Sequence, residues 1–407
     1  MDILKQYLPT KSAFLATFLL VWLNALCLYA IVPPSDSTIV EKEEEEMVLK
    51  EVDGPYLFKV KNKLREVRVV ATNGTYHIEE NLYPCKSKER HIKQYSCEVQ
   101  NDDKDVFTFH LRNKIKSPKT VYKQPEKLLA IADIEGNFNA FYSLLVSNGV
   151  MDKEYNWTYG TGHLALVGDF VDRGTNVTQC LWLIYKLEQE AEKHGGMVHF
   201  ILGNHEVMNI QGMPNYADDK YLILARQLSG YEDQEKAYEY LMSGQRELVK
   251  WMKSKNVIER IGNTLFVHGG ISTALRKSNL SIKEINEFLR TRKSTSFFSN
   301  DNDANLTRFL LGPLGPLWYR GYIGRFKQYY GKATFKEVKG LLKYYQADQI
   351  VIGHTVVENI STDYEGMVYR IDIGFPPTKF TGKAQALLIE NDHFYKVDDA
   401  GGKVQLD

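Results

Sequence analysis

Metal-binding side chains follow five short apolar segments of this chain, in each case where a β-strand would end. The residues at these positions are Asp133, Asp169, Asn204, His268 and His354. Carboxylate and amide oxygens, together with imidazole nitrogens, bind divalent ions of hard to intermediate character. Each residue alone also fits a structural role, such as a helix cap, a turn or a satisfied core histidine. Five such ends in one chain instead indicate a shared metal site.

The five apolar segments predict the strands that would bring these residues together. None of them alternates apolar with polar residues, as expected of strands covered on both faces. Their sequences are LLAIAD, HLALVGD, HFILGN, TLFVHGG and QIVIGHT. Helical segments at 138–147 and 178–194 follow two of them, with apolar side chains on one face. Because loops at the carboxyl ends of strands converge on one crevice, an α/β fold with one site is predicted.

The motifs around these residues resemble those of the calcineurin-like metallophosphoesterases. In this chain they are DIEGN from residue 133, GDFVDRG from 168, GNHE from 203, HGG from 268 and GHT from 353. The resemblance covers about residues 128–395 and is strongest to the phosphoprotein phosphatase (Ser/Thr phosphatase-like) branch and its Shewanella-like phosphatases. It implies a β-sandwich flanked by helices, in αββα layers, as a catalytic domain at 124–399.

The resemblance also implies a site with two divalent metal ions. The ligands that it assigns are Asp133, Glu135, Asp169, Asn204, His268 and His354. Asp169 would bridge the two ions, and a water held between them would lose a proton and attack phosphorus in line. His205 matches the general acid that protonates the leaving oxygen, and Asp172 would orient its ring. Arg173 and Asn204 would bind phosphate, Arg173 through its planar guanidinium.

Glu135 departs from the family pattern, which has a histidine at that place in the first motif. A carboxylate can still bind a metal ion, but it replaces nitrogen with oxygen and adds a negative charge, which favours harder ions. We therefore expect Mn foremost, with Fe, Zn or Mg as other choices. The alternative is that the first site is damaged and the protein holds a single ion.

A second arginine follows two aromatic residues in the segment GPLWYRGY. This segment resembles the substrate loop that follows HGG in the family. By that resemblance, Arg320 would be a further phosphate-binding residue. The alternative is that Trp318 and Tyr319 pack in a loop and leave Arg320 solvated.

The function predicted from the resemblance is hydrolysis of phosphate monoesters, with phosphoproteins among the candidate substrates. A phosphodiesterase or nucleotide pyrophosphatase of the same fold is one alternative. A catalytically decayed phosphate-binding protein is the other, and Glu135 is the only sequence argument for it. The 51 basic and 51 acidic residues of the chain cancel, so composition gives no reason to expect a nucleic-acid partner.

The amino-terminal region predicts membrane attachment. Residues 13–33 are apolar over about 30 Å of helix, enough to cross a bilayer as an uncleaved signal anchor. Lysines precede this segment and a run of glutamates follows it, so residues 1–12 would stay cytoplasmic and the rest would be extracytoplasmic, periplasmic in a bacterium. A cleaved signal peptide is the alternative.

Two further segments separate the anchor from the catalytic domain. Residues 34–50 are acidic and read as a solvated linker. Residues 51–123 contain short β-branched and aromatic runs that predict a small β-sandwich as an accessory domain. Cys85 and Cys97 in this region could pair in an oxidising compartment, or remain unrelated thiols.

Overall fold

The computed structural model describes residues 48–84, 92–292, 303–324 and 330–406. The predicted cytoplasmic tail, the membrane anchor and nearly all of the acidic linker therefore lie outside the described residues. Among the residues described, no helix combines the length and the apolar character needed to span a bilayer. Leu49–Asp407 form one compact unit.

Five strands lie between residues 53 and 110, within the region predicted to be a small β-sandwich. They are β1 Asp53–Val60, β2 Lys63–Thr72, β3 Thr75–Pro84, β4 Gln94–Glu98 and β5 Val106–His110. The first three form an antiparallel sheet and the last two form a hairpin. Phe109 of β5 stacks on Trp182 with 4.1 Å between ring centroids, and the Trp182 indole donates to the carbonyl of Pro55 at 2.9 Å. The strands share a core with the following region, and a domain boundary at residue 123 stays a prediction.

Cys97 of this region is a buried free thiol in the structure. Its Sγ donates to the carbonyl of Gly54 at 3.3 Å, so the suggested pairing with Cys85 is not formed there. Cys85 itself lies outside the described residues.

Twelve further strands of the described residues form two six-stranded sheets. They are β6 Val121–Tyr122, β7 Lys127–Ile131, β8 His163–Val167, β9 Met197–Ile201, β10 Ile258–Ile261, β11 Thr264–Val267, β12 Gln349–Ile352, β13 Ser361–Asp363, β14 Val368–Arg370, β15 Gln385–Glu390, β16 His393–Asp398 and β17 Lys403–Gln405. The first sheet has the order β17-β16-β15-β7-β8-β9, and the second has the order β13-β14-β12-β11-β10-β6. Strands β7, β8 and β9 are mutually parallel, as are β11, β12 and β14.

The two sheets face each other across one apolar core. Alternate residues of the strands in both sheets point into it, as the two-residue period of a strand requires. Among them are Leu128, Ala130, Ala165, Val167, Ile261, Phe266, Val351, Leu387 and Ile389. Intervening residues such as Leu129 and Leu164 are also fully buried, so both faces of the first sheet are covered. This confirms a mixed α/β sandwich built on the strands that the apolar runs predict.

Helices lie between the strands along the chain. They are α1 Phe138–Ser147, α2 Val177–Lys193, α3 Asn204–Ile210, α4 Asp219–Ser229, α5 Gln234–Leu241, α6 Glu247–Lys253, α7 Thr273–Lys277, α8 Ile282–Arg292, α9 Ala304–Leu310 and α10 Phe335–Tyr344. The side chain of Asn137 caps α1 by accepting from the amide of Ala140 at 3.1 Å. Helices α1 and α2 match the segments predicted at 138–147 and 178–194 to within one residue.

Candidate active site

Three buried ligand atoms surround one imidazole nitrogen at the carboxyl ends of the central strands. The Nε2 atom of His268 lies 2.9 Å from Oδ1 of Asn204, 2.9 Å from Oδ2 of Asp169 and 3.2 Å from Nδ1 of His354. Asp169, His268 and His354 are also the group of the described residues whose ligand atoms converge tightly enough to hold a metal ion. Four of the predicted ligands therefore meet in one place.

The protonation of His268 suits a metal ligand. Its Nδ1–H donates to the carbonyl of Val167 at 2.9 Å, which leaves a lone pair on Nε2 in the neutral ring. Burial, Arg320 and His268 hold the pKa of His354 well below its usual range, so the ring of His354 stays neutral. Neutral imidazole is the form that binds metals. One carboxylate, one amide oxygen and two imidazoles thus fit a divalent ion.

Asp133 lies beside this cluster and accepts from the backbone amide of His354 at 3.1 and 3.2 Å. Burial raises the pKa of Asp133 well above its usual range, and the nearby carboxyls of Asp372 and Asp169 raise it further. Buried carboxyls so close together repel when ionised, and a cation between them would relieve the repulsion. The surroundings of Asp133 therefore fit the metal role predicted for it.

Glu135 takes a different partner. Its carboxylate, which is partly exposed, forms an ion pair with the guanidinium of Arg173. The structure does not bring Glu135 into the cluster of Asp169, His268 and His354. Its role as a ligand stays a prediction.

The backbone at the strand ends is unusual. Asp133, Asp169 and His354 all have positive φ, at 54°, 56° and 67°. Left-handed conformations are costly for such residues and gather at functional sites. A Cβ on Gly203 would lie 2.1 Å from Oδ1 of Asp169, and one on Gly353 would lie 2.3 Å from Oδ2 of Asp133. Both glycines are needed because the backbone passes directly against a carboxylate.

His205 is held by two carboxylates at the start of α3. Its Nδ1–H donates to Oδ2 of Asp172 at 2.7 Å, and its Nε2 lies 3.8 Å from Oδ2 of Asp169. Burial opposes protonation of the ring, but Asp169 and the hydrogen bond to Asp172 outweigh it, and the pKa of His205 is raised. The ring can therefore carry a proton beside the metal-binding cluster, as a general acid must.

The two predicted phosphate-binding arginines have different partners. Arg173 has a half-exposed side chain, and its guanidinium lies 5.8 Å from the ring centre of Tyr216. Arg320 donates to the carbonyl of His354 and, at 2.9 Å, to Oγ1 of Thr355. Arg320 is thus fixed beside a predicted ligand rather than solvated in a loop.

Sequence reasoning missed two buried acids at the site. Glu206 accepts from the amides of Gly203, Asp169 and Phe170 at 2.8, 2.9 and 2.7 Å, so it joins the ends of β8 and β9. The GNHE motif places this residue at the third position of a helix, a capping-box signal that could have revealed it. Asp372 follows β14, and burial and Asp169 raise its pKa to about 6. No local motif marks it.

Known proteins with similar sequences include phosphatases. Shewanella-like protein phosphatase 1 of Plasmodium berghei is 27% identical over 275 residues, which is 67% of this chain and 72% of the relative. Shewanella-like protein phosphatase 2 of Arabidopsis thaliana is 25% identical over 317 residues, which is 67% of this chain and 78% of the relative.

Solved structures agree with these relatives. The cold-active protein-tyrosine phosphatase of a psychrophilic Shewanella species superposes with a TM-score of 0.73 at 27% identity. The match covers 88% of this chain and 100% of the Shewanella chain. The model of the calcineurin-like phosphoesterase family matches residues 126–358, the segment that carries all five strand-end motifs. The chain belongs to the calcineurin-like phosphoesterase family.

Proposed function

We propose that this protein is a metal-dependent phosphomonoesterase whose substrates are phosphorylated proteins. The observation that carries the proposal is the buried pair of His205 and Asp172 beside the metal-binding cluster. The two side chains are hydrogen-bonded to each other, and the role proposed for the pair is a step other than metal binding. Protonation of a leaving oxygen is such a step.

The metal would be held by Asp169, Asn204, His268 and His354, with Asp133 beside them. We propose two ions, with Mn as the first choice, because the donor set is rich in oxygen. When bound, such ions polarise a phosphoryl oxygen and make an attacking water acidic.

The protein's own groups would do the remaining work. His205 would donate a proton from Nε2 when its ring is protonated, and Asp172 favours that form by accepting from Nδ1. Arg173 and Arg320 each carry a planar set of donors that matches two phosphate oxygens, and Asn204 would be a further contact. To bind phosphate, Arg173 must exchange its partner Glu135 for a phosphate oxygen.

The side chain next to the proposed acid favours aromatic leaving groups. The ring of Tyr216 is partly exposed and lies 4.9 Å from the ring of His205, measured between centroids. The backbone of Tyr216 is held in place because its carbonyl accepts from the amide of Arg173 at 2.9 Å. A leaving group that receives a proton from His205 would pass close to this ring, and stacking would stabilise an aryl group. Likeness to the Shewanella protein-tyrosine phosphatase supports phosphotyrosine as one substrate.

A substrate panel tests the proposal. The part of the chain from Leu49 onward, called the soluble domain below, is stripped of metal and refilled with one ion at a time. It is then assayed on phosphotyrosine and phosphoserine peptides, p-nitrophenyl phosphate and a bis-aryl diester. We expect metal-dependent turnover of the monoesters, fastest for the aryl esters. Faster hydrolysis of the diester would favour a phosphodiesterase, and no turnover of any ester would favour a phosphate-binding protein.

His205→Asn tests the acid within the same panel. Turnover should fall by roughly a hundredfold or more, while metal content stays nearly intact. The loss should be largest for phosphoserine, whose leaving oxygen needs the proton most. His393→Asn, which removes an exposed ring, is the matched control. An equal loss on alkyl and aryl esters would show that His205 has another role.

A further inference from the structure

A chain of buried hydrogen bonds continues from the His205–Asp172 pair into the helices that follow. The amide Nδ2 of Asn209 donates to Oδ1 of Asp172 at 2.8 Å and to the carbonyl of His205 at 3.0 Å. The hydroxyl of Tyr238 then donates to Oδ1 of Asn209 at 2.6 Å. Asn209 lies in α3 and Tyr238 lies in α5, so the chain joins the site to a separate helix.

This chain holds both oxygens of Asp172. Oδ2 accepts from His205 and Oδ1 accepts from Asn209, so rotation of the carboxylate would break one bond or the other. Tyr238 fixes in turn which end of the Asn209 amide faces Asp172, because its hydroxyl donates to the amide oxygen. Burial, and Asp172 with it, raises the pKa of Tyr238 well above its usual range, so the hydroxyl keeps its proton.

Asp172, Asn209 and Tyr238 also line a small cavity, together with Arg246. The hydrogen bonds to both of its oxygens therefore orient the Asp172 carboxylate at this point. A general acid needs its ring held near one geometry to donate effectively.

We infer that Asn209 and Tyr238 are positioning residues that fix Asp172, and through it the ring of His205, for proton donation to the leaving group. This inference rests on the proposed function, because it needs His205 to be the acid. It also gives helix α5, which contributes none of the proposed ligands or phosphate contacts, a defined part in catalysis.

Tyr238→Phe tests the inference with little change in shape. Loss of one buried hydrogen bond should lower kcat on a phosphoserine peptide by roughly 3- to 10-fold and leave KM nearly unchanged. The loss should be smaller on p-nitrophenyl phosphate, whose leaving oxygen needs little protonation. Tyr185→Phe is the matched control, since it removes a buried hydroxyl that contacts Glu247 instead.

Asn209→Ala and the double variant separate positioning from general loss of structure. Asn209→Ala should lower kcat on the phosphoserine peptide more than Tyr238→Phe does. The double variant should have nearly the same kcat as Asn209→Ala, because Tyr238 acts through Asn209. Equal losses on both ester classes, losses that add fully, or an unchanged kcat in Tyr238→Phe would each overturn the inference.

A spectroscopic readout does not depend on turnover. In the metal-free protein, the imidazole N–H proton of His205 that is donated to Asp172 is assigned in the NMR spectrum by its loss in His205→Asn. We expect this resonance to shift and to exchange faster with water in Tyr238→Phe and Asn209→Ala, but not in Tyr185→Phe. An unchanged resonance in both variants would overturn the positioning role even if the protein hydrolyses no phosphoserine. Absence of turnover in the parent protein, with the resonance responding as expected, would instead count against the proposed function.

Discussion

At the residue scale, the site contains three buried carboxyls, those of Asp133, Asp169 and Asp372. Burial and the charge of Asp169 raise the pKa of both Asp133 and Asp372. Burying several ionised carboxylates together costs free energy unless cations lie beside them, and most buried acids in proteins are paired for this reason. The imidazole of His354 adds no charge, because its pKa lies well below its usual range. A metal centre explains why the chain keeps this arrangement.

Metal analysis tests whether Glu135 is a metal ligand. If Glu135 binds a metal, analysis of the soluble domain should give close to two ions per chain, and Glu135→Ala should lower this to about one. Glu154→Ala, at an exposed position, is the control. A ratio of one that Glu135→Ala does not change would show that Glu135 is not a ligand. In that case its pairing with Arg173 is the interaction that matters, and Glu135→Gln should change KM more than metal content.

At the element scale, strand ends from two different sheets supply the site. Asp133, Asp169 and Asn204 follow β7, β8 and β9 of the first sheet, while His268 and His354 follow β11 and β12 of the second. Face-to-face packing of the sheets brings the two sets of loops together at one edge of the sandwich. The loops must turn sharply there, which accounts for their left-handed residues and close-packed glycines.

The opposite end of the same strands carries two hydrogen-bonded histidines. Nδ1 of His163, at the start of β8, lies 2.9 Å from Nε2 of His199, and His199 donates through Nδ1 to Glu259 at 2.7 Å. Burial lowers the pKa of His163 to about 4, and His199 adds to the effect. An unfolded chain would protonate this ring below about pH 6.5, whereas the folded chain does so only near pH 4.

Stability should therefore fall as pH is lowered through this window. Between about pH 6.5 and 4 the unfolded state binds more protons than the folded state, so the free energy of unfolding decreases with decreasing pH. His163 is partly solvated, and water screens the cost of charging its ring. We therefore expect His163 to account for about 1–2 kcal/mol of the decrease in the free energy of unfolding.

Denaturant unfolding of the metal-free domain at several pH values measures this share. His163→Gln should flatten the pH dependence relative to the parent protein, and His393→Gln at an exposed position should not. Parallel curves for the parent protein and His163→Gln would contradict the assignment.

At the scale of the whole molecule, the strands at 53–110 are joined to the catalytic sandwich by specific contacts. Asp53 accepts from Gln179 in α2 at 3.0 Å, and Lys379 forms an ion pair with Asp103 at 2.8 Å. Phe107 and Phe138 stack with 6.1 Å between ring centroids. We expect the part of the chain from Leu49 onward to unfold as one unit for this reason.

We also propose that the amino-terminal segment anchors the protein with its catalytic part outside the cytoplasm. The charge asymmetry around residues 13–33 is the basis for this orientation. A reporter that works only outside the cytoplasm, fused after Asp407, should be active, and the intact chain should sediment with membranes. A freely soluble cytoplasmic protein that retains Met1 would contradict both expectations.

The sequence was enough to predict the five strands that end in proposed site residues, helices α1 and α2, and most of those site residues. Short apolar runs and the motif residues at their ends are local patterns, which can be recognised in a sequence without knowledge of the fold. Asp133, Asp169, Asn204, His268 and His354 could be named for that reason. The single crevice could be anticipated too, and the family resemblance implied the two facing sheets that form it.

Only the tertiary structure decided which distant groups touch. It placed Glu135 against Arg173, brought Asp372 beside Asp133, and set Tyr238 behind Asn209. Tyr238 and Asn209 are 29 residues apart and carry no motif, so nothing in the sequence predicts their contact. Such pairs depend on how whole elements pack, because the energy that selects them comes from burial across the entire core rather than from neighbouring residues.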